Sequence, residues 1–137
     1  MNLVRRMVDD HEQIDKLLHQ SCSMLEAGSR DVAASLLATF AEELRHHIEL
    51  EEEKIFPRYL ERSDKTRQTM AVLSRQHREI LERVEALVGL TAGDPGCGEL
   101  LARLQELQEL MEEHVRLEES TLYPFAEELA ARQRAQD

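Results

Sequence analysis

Four stretches of this chain repeat apolar residues at steps of three and four, the spacing that lays one stripe of a helix against a core. Chain breakers separate them at Ala27-Gly28-Ser29, at Arg62-Ser63-Asp64, and across Gly89 to Gly98, where GLTAGDPGCG gathers most of the glycines. Helices are therefore expected at about 2 to 27, 30 to 61, 64 to 90 and 98 to 133. Short connections make neighbouring helices antiparallel, so the expected fold is all-α, an up-down-up-down antiparallel four-helix bundle. At 137 residues with 42 % apolar side chains, the chain suits one domain spanning 1–137. Pro57 is expected to end the second helix soon after it, Pro124 to bend the fourth, and the last few residues to fray.

The core stripes also carry residues that a core does not want. The first reads Val4, Met7, His11, Ile14, Leu18, Ser21 and Leu25, and the second Leu37, Phe40, Leu44, His47 and Glu51. The third reads Met70, Leu73, His77, Ile80, Val84 and Leu87, and the fourth Leu100, Leu104, Leu107, Met111, His114 and Glu118. Unpaired ionisable groups in such positions would each cost several kcal/mol, so something must compensate them. The halves of the chain repeat the pattern: HEQIDKL from His11 pairs with HREILERV from His77, and HIELEEEKIFP from His47 with HVRLEESTLYP from His114.

In an antiparallel hairpin two residues lie level when their midpoint falls in the connecting turn, because both helices rise about 1.5 Å per residue. His11 and His47 have their midpoint at residue 29, Glu51 and His77 at 64, and His77 and His114 between 95 and 96, all inside the three connections. The six side chains His11, His47, Glu51, His77, His114 and Glu118 thus share about one helical turn of height. Within each HxxxE pair, residues four apart share a face and offer an imidazole and a carboxylate together, a donor set that suits iron, manganese or zinc.

Neighbouring polar residues fit this layer less well. Glu52, Glu53 and Glu119 lie off the stripes, His46 sits about 100° around the second helix from His47, His19 lies about two turns along the first helix from His11, and Asp15 is off its stripe. A ferritin-like site would need ExxH on two helices, and Glu43 with His46 supplies that spacing once. Phe56, Tyr59, Tyr123 and Phe125 fall near the bundle end that holds the layer, where they serve either as core or as partners of the site. With 28 acidic against 17 basic residues, the net charge of -11 disfavours nucleic acid and anionic lipid as partners. No apolar run approaches a membrane span and MNLVRRMVDDHEQID lacks the apolar core of a signal peptide, so a cytoplasmic location is expected. Cys22 and Cys97 are expected as separate free thiols, Cys97 exposed in its Gly-rich connection.

His11, HIELEEEKIFP at 47 to 57, His77 and HVRLEESTLYP at 114 to 124 together resemble the hemerythrin-like, HHE cation-binding domain family over nearly the whole chain. The resemblance implies two iron ions, oxo- or hydroxo-bridged, with His11, His47, Glu51, His77, His114 and Glu118 as ligands and the two glutamates bridging the metals. Zinc or manganese would accept the same donors. Oxygen-carrying hemerythrins place HxxxH on the third helix, where this chain has Leu73 and Leu81 on either side of His77. A fifth histidine is missing, and Asp15, Glu119 or a tyrosine is a candidate to stand in. Those proteins also end with HxxxxD, a register that falls on Glu119 rather than Glu118.

The four-His, two-Glu set is similar to bacterial hemerythrin-like proteins that respond to nitric oxide, peroxide or oxygen or repair damaged iron centres. The leading expectation is a non-haem di-iron protein that binds O2 or NO for sensing, buffering or transfer. The alternatives are a di-iron enzyme acting on peroxide or NO, or repairing iron centres, and a structural bundle holding zinc or another non-redox metal.

Overall fold

The computed structural model describes residues 3–61, 63–93 and 96–136, and among them the chain is all-helical, with no strand. Six helical segments follow in order: α1 (Leu3–Glu26), α2 (Arg30–Lys54), α3 (Phe56–Leu60), α4 (Asp64–Thr91), α5 (Cys97–Ser120) and α6 (Leu122–Gln136). Arg62 of the second break and Pro95 of the third lie outside the described residues.

The turns follow from local chemistry. Gly28 takes φ 78, a left-handed conformation that glycine adopts at little cost, and lets Ser29 donate to the Met24 carbonyl and Gly28 to that of Leu25. At the start of α4, Ser63 and Thr66 form a capping box in which each side chain accepts from the other's backbone amide. Arg30, the first residue of α2, donates to the carbonyls of Thr91 and Gly93, which ties the beginning of α2 to the end of α4.

The second and fourth expected helices each divide in two. Proline has no amide to bond the carbonyl four residues earlier, and its ring crowds that carbonyl. The chain relieves this slightly upstream: Ile55 separates α2 from α3, which carries Pro57 in its first turn, and Thr121 separates α5 from α6, three residues before Pro124. α6 is helical to Gln136, the last described residue, with residues 131–136 exposed.

The four long helices make a ring of packed neighbours, α1 on α2 and α5, and α4 on α2 and α5, so the fold is a helical bundle. Its apolar interior falls into two clusters. The larger runs from Ile14 and Leu18 on α1 through Phe40 and Ile48 on α2, Ile80 and Val84 on α4, to Leu104 and Met111 on α5. The smaller joins Val4 and Met7 of α1 and Leu73 of α4 to Ile55, Phe56, Tyr59, Leu122, Tyr123 and Ala126 around the two breaks. His11 lies between Met7 and Ile14 on its stripe and His77 between Leu73 and Ile80, so the polar layer is sandwiched between the clusters. Cys97 departs from its expected exposure: it opens α5 half-buried and packs, like Cys22, against the larger cluster, both as free thiols.

Candidate metal centre

The helical stripes carry all six expected residues to one place. His47, Glu51, His77, His114 and Glu118 are buried, the two glutamates completely, and the His11 side chain is 9 % exposed. They form two donor groups, one of His11, His47, Glu51 and Glu118, the other of His77, His114, Glu51 and Glu118, each with ligand atoms within 4.8 Å of one another. Both glutamates belong to both groups. The imidazoles pair accordingly, with ring centroids 4.7 Å apart for His11 and His47 and 4.6 Å for His77 and His114. Either group could hold a metal ion.

The short contacts inside the cluster lack hydrogen-bond geometry. His47 Nε2 lies 2.9 Å from Glu51 Oε1, His77 Nε2 3.5 Å from Glu118 Oε2, and His114 Nε2 and His11 Nε2 each 3.2 Å from Glu118 Oε1. Yet His47 Nε2, His77 Nε2, Glu51 Oε1 and both Glu118 oxygens are buried without a hydrogen-bond partner. Buried polar atoms left unpaired cost free energy. Lone pairs from nitrogen and oxygen converging on common space are the donor chemistry of a cation site, so the residues fit a bound metal.

Burial, together with the charge of the facing Glu118, pushes the Glu51 carboxyl well above the usual carboxylate range. Burial also acts to raise Glu118, but its contacts with Glu51, His11, His114 and His77 outweigh that and hold it well below the usual range. The pair therefore divides its charge, one carboxyl tending to keep its proton and the other to lose it. Tyr123 closes the layer from above: its hydroxyl lies 2.9 Å from His11 Nε2 and donates to Glu51 Oε2 at 3.2 Å. Burial and the two carboxylates raise its phenol so far that it stays protonated. Phe56 stacks on the His77 ring at 5.3 Å between centroids with a 4° interplanar angle. Phe56 and Tyr123 are thus both core and partners of the site, whereas Tyr59 and Phe125 pack on each other with ring centroids 5.1 Å apart.

Burial, then the neighbouring His11, lowers His47 from 6.5 to about 4. Between those values the unfolded chain takes up a proton that folded His47 refuses, so the metal-free protein should lose stability as pH falls through this window. For this group the loss reaches up to about 3 kcal/mol, while Glu51 and Glu118, shifted in opposite directions, partly offset each other. Denaturant midpoints measured across that pH range should fall less steeply for His47→Gln; equal slopes would contradict the assignment.

The outer edges of the imidazoles reveal residues that the stripes did not. His47 Nδ1 donates to Asp10 Oδ2 at 3.1 Å, His77 Nδ1 to Glu52 Oε1 at 3.3 Å, and His114 Nδ1 to Gln76 Oε1 at 2.7 Å. These bonds commit each Nε2 to its lone-pair form, facing inward. Each acceptor is the sequence neighbour of a cluster residue on the adjoining helix: Asp10 of His11, Glu52 of Glu51, Gln76 of His77. Glu119, beside Glu118, occupies the fourth such place, but its carboxylate stops 3.9 Å from His11 Nδ1, which has no hydrogen bond.

The remaining candidates fall outside. His46 and His19 are exposed, and Asp15 pairs with His19 at 3.4 Å on the surface. Glu118 rather than Glu119 faces the cluster, Glu119 being 52 % exposed. Of the three proposed stand-ins for a fifth histidine, Asp15 and Glu119 are absent from both donor groups, and Tyr123 contacts them.

A family model described as the hemerythrin HHE cation binding domain matches residues 2–126, from the start of α1 into α6. No curated protein and no solved structure gives a significant match.

Proposed function

The chain belongs to the hemerythrin HHE cation-binding domain family, and on that premise we propose that it is a non-haem di-iron protein that binds O2 or NO for sensing, buffering or transfer. The observation that carries this reading is the pair of donor groups sharing Glu51 and Glu118. On this proposal His11 and His47 serve one ion, His77 and His114 the other, and the two glutamates serve both. The arrangement it implies is a single domain over 1–137, folded as an up-down-up-down four-helix bundle. The ring of helix packing and the meeting of one histidine from each long helix support that arrangement. A cytoplasmic location belongs to the same reading, with the two unpaired cysteines in its favour, and no helix among the described residues is long and apolar enough to cross a membrane.

Bound iron would supply a redox-active Lewis acid with room for a small diatomic ligand. The chain supplies the rest. Asp10, Glu52 and Gln76 hold three imidazoles with Nε2 inward, and the buried carboxyls of Glu51 and Glu118 bring negative charge that a cation would neutralise. Leu73, fully buried, and Leu81 flank His77 at the two positions where an HxxxH pair would carry its second histidine, so α4 would offer a bound metal one imidazole. Phe56, Met7 and Tyr123 belong to the smaller apolar cluster that packs over one side of the layer.

Tyr123 favours a second reading, an enzyme acting on peroxide or NO or repairing damaged iron centres, because its phenol can present a proton beside both donor groups. Metal analysis of the purified protein, followed by O2 and NO titration of the reduced iron form, separates these readings. Two irons per chain and a stoichiometric, reversible spectral change support the binding protein. Sustained consumption of peroxide or NO with a reductant, lost in Tyr123→Phe, supports the enzyme. Zinc in place of iron, with no spectral response, overturns both.

A further inference from the structure

The two donor groups are not equally ready for a cation. In His47, His77 and His114 the proton sits on Nδ1, donated to Asp10, Glu52 and Gln76, and Nε2 turns a lone pair inward. His11 is arranged the other way round. The Tyr123 hydroxyl donates its single hydrogen to Glu51 Oε2 at 3.2 Å, so toward His11 Nε2, 2.9 Å away, it can only accept. The inward nitrogen of His11 therefore carries the proton, while its Nδ1 is buried without a hydrogen bond and Glu119 stops 3.9 Å short of it. Among the described residues no hydroxyl is bonded to His77 or His114; Phe56 stacks on the His77 ring and offers it no hydrogen bond.

We propose that Tyr123 makes the two donor groups fill in order, His77 with His114 first and His11 with His47 second. The inference rests on the two-ion reading above and adds a sequence to it. In the His77–His114 group both imidazoles already present lone pairs, and Glu51 Oε1 and Glu118 Oε2, 3.7 and 3.5 Å from His77 Nε2, are free of hydrogen bonds. These donors need no change of protonation, the advantage of preorganisation. In the His11–His47 group, Tyr123 ties up two of the four members, Glu51 and His11. Before His11 Nε2 can offer a lone pair, its proton must move to Nδ1 and its bond to Tyr123 must break. The exchange balances within the ring: one N–H is lost at Nε2 and one gained at Nδ1, where Glu119 or water accepts from it. Tyr123 keeps its own hydrogen and no electron moves. Tyr123 is thus a positioning residue, which sets the tautomer of a donor without itself being one.

Calorimetric titration of the metal-free full chain with Co2+ alone tests the order. The native chain is expected to bind two ions in resolved steps, the second about tenfold weaker than the first, the worth of one or two hydrogen bonds. Tyr123→Phe removes the hydroxyl and keeps the ring, so its second step should tighten about tenfold and close on the first, with two ions still bound. His47→Ala should erase the weaker step and leave the tighter one. Nitrogen-15 spectra of the imidazoles in the metal-free chain give an independent readout. His11 should carry its proton on Nε2 and the other three on Nδ1, and in Tyr123→Phe His11 should join them. A merely structural role for the hydroxyl would move neither the tautomer nor the gap between the steps. Two indistinguishable native steps, a gap that survives in Tyr123→Phe, or a His11 proton already on Nδ1 in the native chain would each overturn the ordering and leave the two-ion site standing. A native chain that binds one Co2+ or none overturns the two-ion reading itself.

Discussion

Glu118→Ala is expected to abolish stable metal binding, whereas His114→Ala should weaken one ion far more than the other. The distinction follows from sharing: Glu118 stands in both donor groups and His114 in one. Outer partners of a ligand typically govern affinity by about 10- to 100-fold, and loss of a ligand common to two ions should exceed that range. Glu118 is also fully buried, with His11, His77 and His114 all within 3.5 Å, so its removal leaves three imidazoles facing a void. Metal-to-protein ratios after gel filtration, with circular dichroism to verify folding, would measure this. A Glu118→Ala chain that keeps its full complement of metal removes Glu118 from the ligand set. Glu118→Gln, which keeps the volume and loses the charge, guards against reading a packing defect as a lost ligand.

Chelation should lower the melting temperature by about 10 °C. A polar layer with unpaired buried atoms lies across the middle of the apolar interior, and the folded chain alone presents it ready-made. An ion present at a thousand times its dissociation constant adds about 4 kcal/mol, and each kcal/mol is worth about 2–4 °C in a chain near this size. The sign reverses nowhere between pH 5 and 8, since protonation of imidazole competes with the metal and acid can only weaken binding. Thermal scans with and without chelator at pH 7 decide the matter, and coincident curves would mean that the layer is stable as a purely organic network.

Much of this was legible before the fold was known, because two regularities suffice for it. The step of three and four assigns residues to stripes, and the rise per residue assigns heights, so the meeting of His11, His47, Glu51, His77, His114 and Glu118 needs only a ruler. The same stripe logic separates Glu118 from Glu119. What stripes do not encode is rotation of one helix against the next, and the residues missed are those that reach sideways. Asp10, Glu52 and Gln76 each stand one position from a cluster residue, about 100° around the helix, where a sequence reading sees only solvent-facing polar side chains. The prolines signalled two helix breaks but not their places, since the strain is relieved at Ile55 and Thr121 rather than at the rings that cause it. Tyr123 was visible only as an aromatic near the right end; its dual contact depends on how α6 crosses the bundle after its break.

Those two breaks divide labour within the chain. Glu51 and Glu118 are the last cluster residues on their helices, and Ile55 and Thr121 follow them by only four and three positions. Frame and roof are therefore separate passages of sequence: the long helices carry every donor, while α3 and α6 carry Phe56, Tyr59 and Tyr123. Substitutions in the roof can retune polarity and access above an unchanged set of donors. A lineage of such proteins could diversify its chemistry by rewriting about a dozen residues after the two breaks, leaving the costly buried constellation untouched.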